Sequence, residues 1–378
     1  MNESKATRFQ RRRRRAQAVT WTLTASALAV MALTPLGSWL HGRLSDLAAG
    51  APPPVQPPLA FVLFVVSATL ICALAALPAL RYHRLAVDPA DGRTGEGLRG
   101  WVAGVLVAVP AALGAASIVW ISAWSAGPRW WLVAGLALSG VLALAVHVGP
   151  RIAVRLGSIR PVDRPELTAR IAALAARAGV PVASIQQWDV DESAGTTAMV
   201  AGMGRARRIF VAREVLHEWS DDEVTVIVAH ELAHHVHHDL ARTLGLNALV
   251  LCAGTRVGDL LVGAAGPLLG LSGAGEPAAL PMVAMAVGVV WVAATPLRHA
   301  QSRRQERLAD LFALDATGHA EAFANAVRRA GERRMAEDRP ASLVRWLYHR
   351  HPSMAERLAL AASHGADRKA GSAARSRR

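Results

Sequence analysis

The chain has 378 residues, 52% of them hydrophobic and 19% charged, with a formal net charge of +14. Its apolar residues arrive in long unbroken blocks, which excludes a wholly water-soluble protein and points to a polytopic membrane protein. Only two cysteines are present, Cys72 and Cys252, each inside an apolar block, so a disulfide framework and a thiolate zinc cluster are excluded as well.

Residues 1–18 form a basic segment, with Arg11 to Arg15 ahead of the first block. The apolar run that follows outlasts the roughly 7–15 residues of a signal-peptide core, so an uncleaved anchor is expected. A four-span membrane region is predicted over 19–148, with spans at 19–40, 59–80, 101–124 and 130–148. Each is nearly free of charge and long enough, at about 1.5 Å per residue, to cross about 30 Å of hydrocarbon.

A water-soluble part follows over 149–243. Pro165 opens a helix predicted over 165–178, Leu167, Ile171 and Leu174 recur at near-helical spacing, and Gly179 stops it. Short β-rich runs predict strands at 184–190, 196–201 and 208–213, the last two joined as a hairpin through GMGRA in a small antiparallel sheet. A single helix is predicted over 221–244: Ser220 and Glu223 form a capping box at its start, and no Pro or Gly interrupts it before Gly245.

That helix leads straight into a membrane hairpin over 244–297, with spans at 244–271 and 280–296. The first of these contains Arg256 and Asp259, which line a polar chamber, pair with each other, or show that the span ends elsewhere. The soluble part resumes over 298–366, with helices at 299–316 and after HPSMAERLAL, and a solvated, disordered basic tail is expected over 367–378. The fold class expected is an α-helical multi-pass membrane protein of about six spans, carrying a mainly α, α+β domain that the last two spans split in sequence.

Charge follows this layout. Arginines 11–15, 81, 84, 93, 99, 151, 155, 160 and 164 fall in alternate connections, whereas the connections at 41–58 and 125–129 hold one each, Arg43 and Arg129, and 272–279 holds none. The positive-inside rule then puts both termini and the soluble part in the cytoplasm. No aromatic-interleaved basic motif is present, so nucleic acid is not an expected partner.

The stretch VIVAHELAHHVHHD packs five of the chain's 14 histidines into nine positions. His230 and His234 are four apart and share one helical face, where two imidazole nitrogens can take adjacent corners of a tetrahedral zinc. Glu231 is offset by one residue, within reach of a metal-bound water and badly placed as a ligand on that face. This is the H-E-x-x-H pattern, with glutamate as general base. The competing readings are a solvated His-rich face, adventitious metal binding by His235, His237 and His238, and a His234/His238 pair with His235 as a poor base.

Topology supplies a third ligand. A glycine three residues and a histidine six residues after His234 would mark one zincin class; His237 and Leu240 stand there instead. The next glutamate, Glu276, lies in the extracytoplasmic connection, and the one after it, Glu306, follows the return to the cytoplasm. Asp310, one turn later, could hydrogen-bond a ligand histidine. The alternative is a solvated face on which Glu306 and Asp310 pair with Arg303 and Arg307.

The ordered set VIVAHELAHHVHHD, helical hairpin, SRRQERLAD and HPSMAERL resembles the HtpX-like and CAAX prenyl endopeptidase family of integral-membrane zinc metallopeptidases over roughly residues 160–365. The resemblance implies His230, His234 and Glu306 as ligands of one Zn²⁺ per subunit, Glu231 as catalytic base, and Asp310 as support for a ligand. It places His351 and Arg357 near the active site. His351 then reads as an oxyanion donor, or as a helix-start residue ahead of a second capping box, Ser353 with Glu356. One departure stands out: the family opens its edge strand with Asn-Ala, and this chain has Thr197-Ala198.

The activity expected is zinc-dependent hydrolysis of peptide bonds at the cytoplasmic membrane surface. Its partners would be protein or peptide substrates, membrane proteins above all, and the lipid bilayer. The substrate segment would add to an edge strand at Ala198, Met199, Val200, Ala201 and Gly202. The competing functions are a sensor protease with a dedicated repressor substrate and a non-catalytic metal-handling transporter or scaffold.

Overall fold

Proline sets where the first apolar helix stops. The structure, a computed structural model, describes residues 5–79, 94–156, 158–189, 197–202, 204, 207–333, 337 and 340–375. In it α1 (Lys5–Leu33) gives way at Pro35 to α2 (Leu36–Ala48), because the proline ring denies the helix its next N–H and crowds the preceding turn. Residues 34–40 therefore lie outside the first span, contrary to the expected 19–40.

Next come α3 (Gln56–Ala75), α4 (Thr94–Ser125) and α5 (Trp130–Leu156), which contain the spans expected at 59–80, 101–124 and 130–148 apart from the end of the first of these. Residue 80 and the arginines at 81, 84 and 93 lie outside the described residues.

The soluble segment begins with β1 (Ser158–Pro161), α6 (Pro165–Arg177), β2 (Ser184–Asp189), β3 (Ala198–Ala201) and β4 (Arg208–Ala212). Expected strand residues 190 and 196, and 203, 205 and 206 of the hairpin turn, lie outside the described residues. The sheet order is β1-β2-β4-β3. β3 and β4 pair antiparallel as predicted, but β2 and β4 run parallel, so the sheet is mixed instead of antiparallel throughout. The chain leaves β2, starts the hairpin at the far edge and returns β4 to the middle; local pattern cannot report that crossover. Strand β1 was missed because SIRP carries one β-branched residue and a proline.

Short α7 (Arg213–Glu218) leads to α8 (Asp221–Val236), which starts at the predicted box: Ser220 Oγ accepts from Glu223 N at 3.3 Å and Glu223 Oε2 accepts from Ser220 N at 2.9 Å. The single helix expected over 221–244 is a correction. His237 ends α8, His238 adopts φ 54°, and α9 (Asp239–Ala265) starts afresh. Neither Pro nor Gly marks this break. One local and one distant contact hold it: Asp239 Oδ2 lies 2.9 Å from His234 Nδ1, five residues away, and its carbonyl accepts from Gln305 Nε2 at 3.1 Å.

The chain closes with α10 (Leu280–Ala293), α11 (Thr295–Thr317), α12 (Ala320–Arg333), α13 (Ser342–Tyr348) and α14 (Met354–Arg375). Helix α14 runs on through positions expected to be tail, and its start carries the second box, Ser353 with Glu356. Among the described residues, five helices are long and apolar enough to cross a membrane, in α1, α3, α4, α5 and α9; α10 with α11, bent by 46°, makes a sixth if read as one broken span.

Two compact units result, Met1–Val141 with Leu246–Ala294, and Leu142–Gly245 with Thr295–Arg378. In the first, helices meet through small residues: a Cβ on Gly135 would lie 2.8 Å from Cys252 Cα, and one on Gly254 2.9 Å from Val287 Cα. Its Leu106, Val107 and Leu249 are about 70% exposed, which suits side chains that face lipid. In the second unit, α6, α8 and the inner sheet face close over Ile171, Leu174, Ile209, Val211 and Leu232 with Leu314 and Phe323, all buried.

Candidate metal centre

Helices α8 and α11 pack side by side and bring His230, His234 and Glu306 together. One ligand atom from each lies within 4.8 Å of the other two, the only such three-residue group among the described residues. His230 Nε2 is 3.3 Å from Glu306 Oε2, and His234 Nε2 is 3.8 Å from Glu306 Oε1. Two ligands about 2.05 Å from a tetrahedral zinc lie about 3.3 Å apart; the first spacing fits that ion and the second is wider.

The other ring nitrogens fit it too. His230 Nδ1 lies 2.9 Å from Asp310 Oδ1, and His234 Nδ1 lies 2.9 Å from Asp239 Oδ2. A carboxylate on Nδ1 keeps the proton there and leaves the Nε2 lone pair free for a cation. Asp310 is in turn gripped by Arg357, whose Nε and second guanidinium nitrogen approach its two oxygens at 2.8 and 2.5 Å. Arg357 stacks over Phe323, with 5.6 Å to the ring centroid.

These contacts also set the protonation of the ligand side chains. Burial opposes charge on His230, yet its close contacts with the carboxylates of Asp310 and Glu306 outweigh it and raise the imidazole pKa to about 9. Burial likewise opposes charge on Glu306, but contacts with His230 and His351 hold its carboxyl far below the usual range. Asp310 is lowered despite burial by His230 and Arg357, and Arg357 is raised despite burial by Asp310. A proton on His230 thus does part of a cation's work between two carboxylates.

Glu231 joins the three ligand residues in the lining of a 270 Å³ cavity, with His351 and Arg357 on its wall. His351 Nδ1 is 3.0 Å from Glu306 Oε2. The apolar part of the lining comes from Val226, Ile227, Phe323 and Val327 among others, and Thr197 at the start of the edge strand also contributes.

Strand β3 is one of the two edges of the sheet, the other being β1. Thr197 O accepts from Ala212 N at 3.0 Å and so faces β4; by alternation Ala198 and Val200 turn their amide groups outward. The Val200 carbonyl meets His235 Nε2 at 3.4 Å. Ala198, Met199, Val200 and Ala201 lie in the strand as expected, whereas Gly202 lies beyond it at φ 109°.

The alternatives fare differently. His238 sits in the turn at positive φ, so the His234/His238 pair is not on one helical face. His235 binds the edge strand and His237 lies edge-on to Phe312, so these histidines are dispersed. Glu306 and Asp310 pair with His230, His351 and Arg357, and not with Arg303 or Arg307. Arg256 and Asp259 pair with each other, and Trp130 Nε1 donates to Asp259 at 2.8 Å. Sequence reasoning missed Asp239. Five residues after His234, it falls off the ligand face of an unbroken helix, and the string HHVHHD carries its only signal.

Comparison with known proteins agrees with this arrangement. Residues 161–364 match the profile of Peptidase family M48. An uncharacterized metalloprotease, YhfN of Bacillus subtilis (strain 168), is 29% identical over 236 residues, 61% of this chain and 55% of that protein, so the chain spans about half the length of this curated relative. The crystal structure of S. mikatae Ste24p superposes with a TM-score of 0.66 at 17% identity, covering 84% of this chain and 80% of the other, which is a likeness of fold.

Proposed function

Because the chain belongs to peptidase family M48, a family of metallopeptidases, we propose that it is a zinc-dependent endopeptidase whose site is built from His230, Glu231, His234 and Glu306. The convergence of two Nε2 atoms and one carboxylate, with each Nδ1 turned to an aspartate, carries this reading. Zinc bound there would supply Lewis acidity, polarising the scissile carbonyl and lowering the pKa of a water toward about 7.

The chain's own groups do the rest. An extended substrate adds to β3 through the outward amide groups of Ala198 and Val200, with His235 marking how far along the edge it can pair. Glu231 takes the proton of the attacking water and passes it to the leaving amine. His351, swung from Glu306, donates to the oxyanion, while Arg357 and Asp310 fix the tilt of His230.

The arginine distribution favours a cytoplasmic site with both termini cytoplasmic. A peptidase unit carried on spans meets its substrates at the bilayer, so membrane or membrane-tethered proteins are the substrate class. The test is metal analysis and casein cleavage by the detergent-purified chain. Wild type should hold about one zinc and cleave; Glu306→Ala should lose both. Zinc retained at full stoichiometry in Glu306→Ala would remove Glu306 from the ligand set.

A further inference from the structure

Arg357 also lines a second hollow, of 690 Å³, between α11, α13 and α14. Its wall is dominated by Arg303, Arg304, Arg307 and Arg345, with only Asp310 and Glu356 as counter-charges. Both carboxylates are already taken: Asp310 by Arg357, and Glu356 by Arg345 at 2.8 Å. Among the described residues no carboxylate lies within 4 Å of Arg303, Arg304 or Arg307.

Arg303 spends one guanidinium nitrogen on neutral acceptors, the carbonyls of His349 at 2.8 Å and Arg345 at 3.3 Å. Arg304 and Arg307 are both exposed and are spaced one turn apart on α11. Three like charges at i, i+1 and i+4 on one helix repel one another, a cost that a bound anion would offset. Guanidinium forks match phosphate oxygens two at a time, and here they surround a hollow instead of radiating from a convex face.

We infer that this arginine-lined hollow is a binding site for a phosphate group, gripped by the forks of Arg304 and Arg307 and backed by Arg303. Two sources offer that chemistry, an anionic phospholipid headgroup and soluble phosphate. Chain connectivity favours the lipid: α11, which carries all three arginines, begins at Thr295, two residues after apolar α10 ends at Ala293. A membrane peptidase of this build would then hold a lipid headgroup against the helix that carries Glu306.

The experiment uses the full chain in a neutral detergent and phosphate-free buffer. Affinity is read from the dependence of the thermal midpoint on added short-chain phosphatidylglycerol, short-chain phosphatidylcholine or inorganic phosphate. Wild type is compared with the pair Arg304→Gln, Arg307→Gln and with a charge-matched control, Arg177→Gln, Arg328→Gln, whose arginines are exposed outside the hollow. The first pair should bind phosphatidylglycerol at least about tenfold more weakly, and the control should match wild type. Tighter binding of phosphatidylglycerol than of inorganic phosphate identifies the lipid source, and equal or tighter binding of inorganic phosphate identifies the soluble one. No binding of any probe by wild type, no loss in the Arg304/Arg307 pair, or equal loss in the control would overturn the proposal.

Discussion

Two places in this chain set acidic groups among apolar helices, and they differ in what is left over. In the membrane-helix unit, Asp259 is closed by Arg256 and by Trp130 Nε1, and Arg256 stacks on Trp131 with 5.3 Å to the ring centroid. In the peptidase unit, Asp310 is gripped by Arg357 and Asp239 has Arg242 at 3.8 Å from its outer oxygen, but each also faces an imidazole whose second nitrogen points at Glu306. The first cluster satisfies itself and ends there. The second leaves lone pairs converging on one point, and that surplus separates a site from a structural pair.

The sharpest way to break the distinction is to remove chemistry while keeping the ligands. Glu231→Gln should leave zinc content unchanged and lower kcat by about 10²–10⁴-fold, the range for loss of a general base. A variant that keeps its zinc and cleaves casein at wild-type rate would show that Glu231 is not the general base and that the proton is moved by another group.

Next in size is the support under each histidine. Asp310→Asn and Asp239→Asn should each weaken zinc binding by about 10–100-fold, measured by competition with a chelating dye. Asp310→Asn is expected to be the more damaging, since it also releases Arg357, which is raised above its ordinary pKa by that carboxylate and lines the cavity. Equal zinc affinity in wild type and Asp239→Asn would reduce Asp239 to a helix-start residue.

Legibility in the sequence followed the same divide between local and convergent. Spacing alone placed His230, Glu231 and His234, because i, i+4 on a helix is local geometry. Glu306 was reachable only by counting spans and asking which glutamate returns to the right side. Asp239 was not reachable, since it required a helix break at His237–His238 that no breaker residue announces and that the sequence-distant Gln305 helps to hold. The parallel pairing of β2 with β4 was hidden for a like reason: strand order is set by a connection, and periodicity reports only faces. Pro35, by contrast, marks the end of α1 in the sequence itself, within an otherwise apolar run.

Proton occupancy offers a graded test. In the chelated protein His230 has a pKa raised to about 9, above about 6.5 in the unfolded chain. Its contribution to stability is therefore complete below about pH 6.5 and is lost as pH rises through about 9. Glu306 and Asp310, both lowered, act in the opposite sense: their contributions are present above their unfolded values near pH 4 and fade on acidification. The thermal midpoint of chelated protein should thus fall across pH 6.5–9, while zinc affinity, which requires that proton to leave, should rise over the same interval. A chelated midpoint flat through that window would mean that His230 carries no proton between its two carboxylates.

The smallest effect should come from the closed pair. Asp259→Leu alone strands Trp130 Nε1 and the Arg256 guanidinium, and should cost about 1–3 kcal/mol of stability. Pairing it with Arg256→Met removes both charges together and should recover most of that loss, because an apolar pair of similar volume avoids the desolvation cost that the ions bear. In both variants zinc content should match wild type and casein turnover should stay within about twofold, since both carboxylate oxygens of Asp259 are engaged within the cluster. If the double variant were stable, held its zinc and still lost turnover, then Arg256 and Asp259 would belong to the working machinery. Closure of a polar group by its neighbours would no longer suffice to mark it as structural.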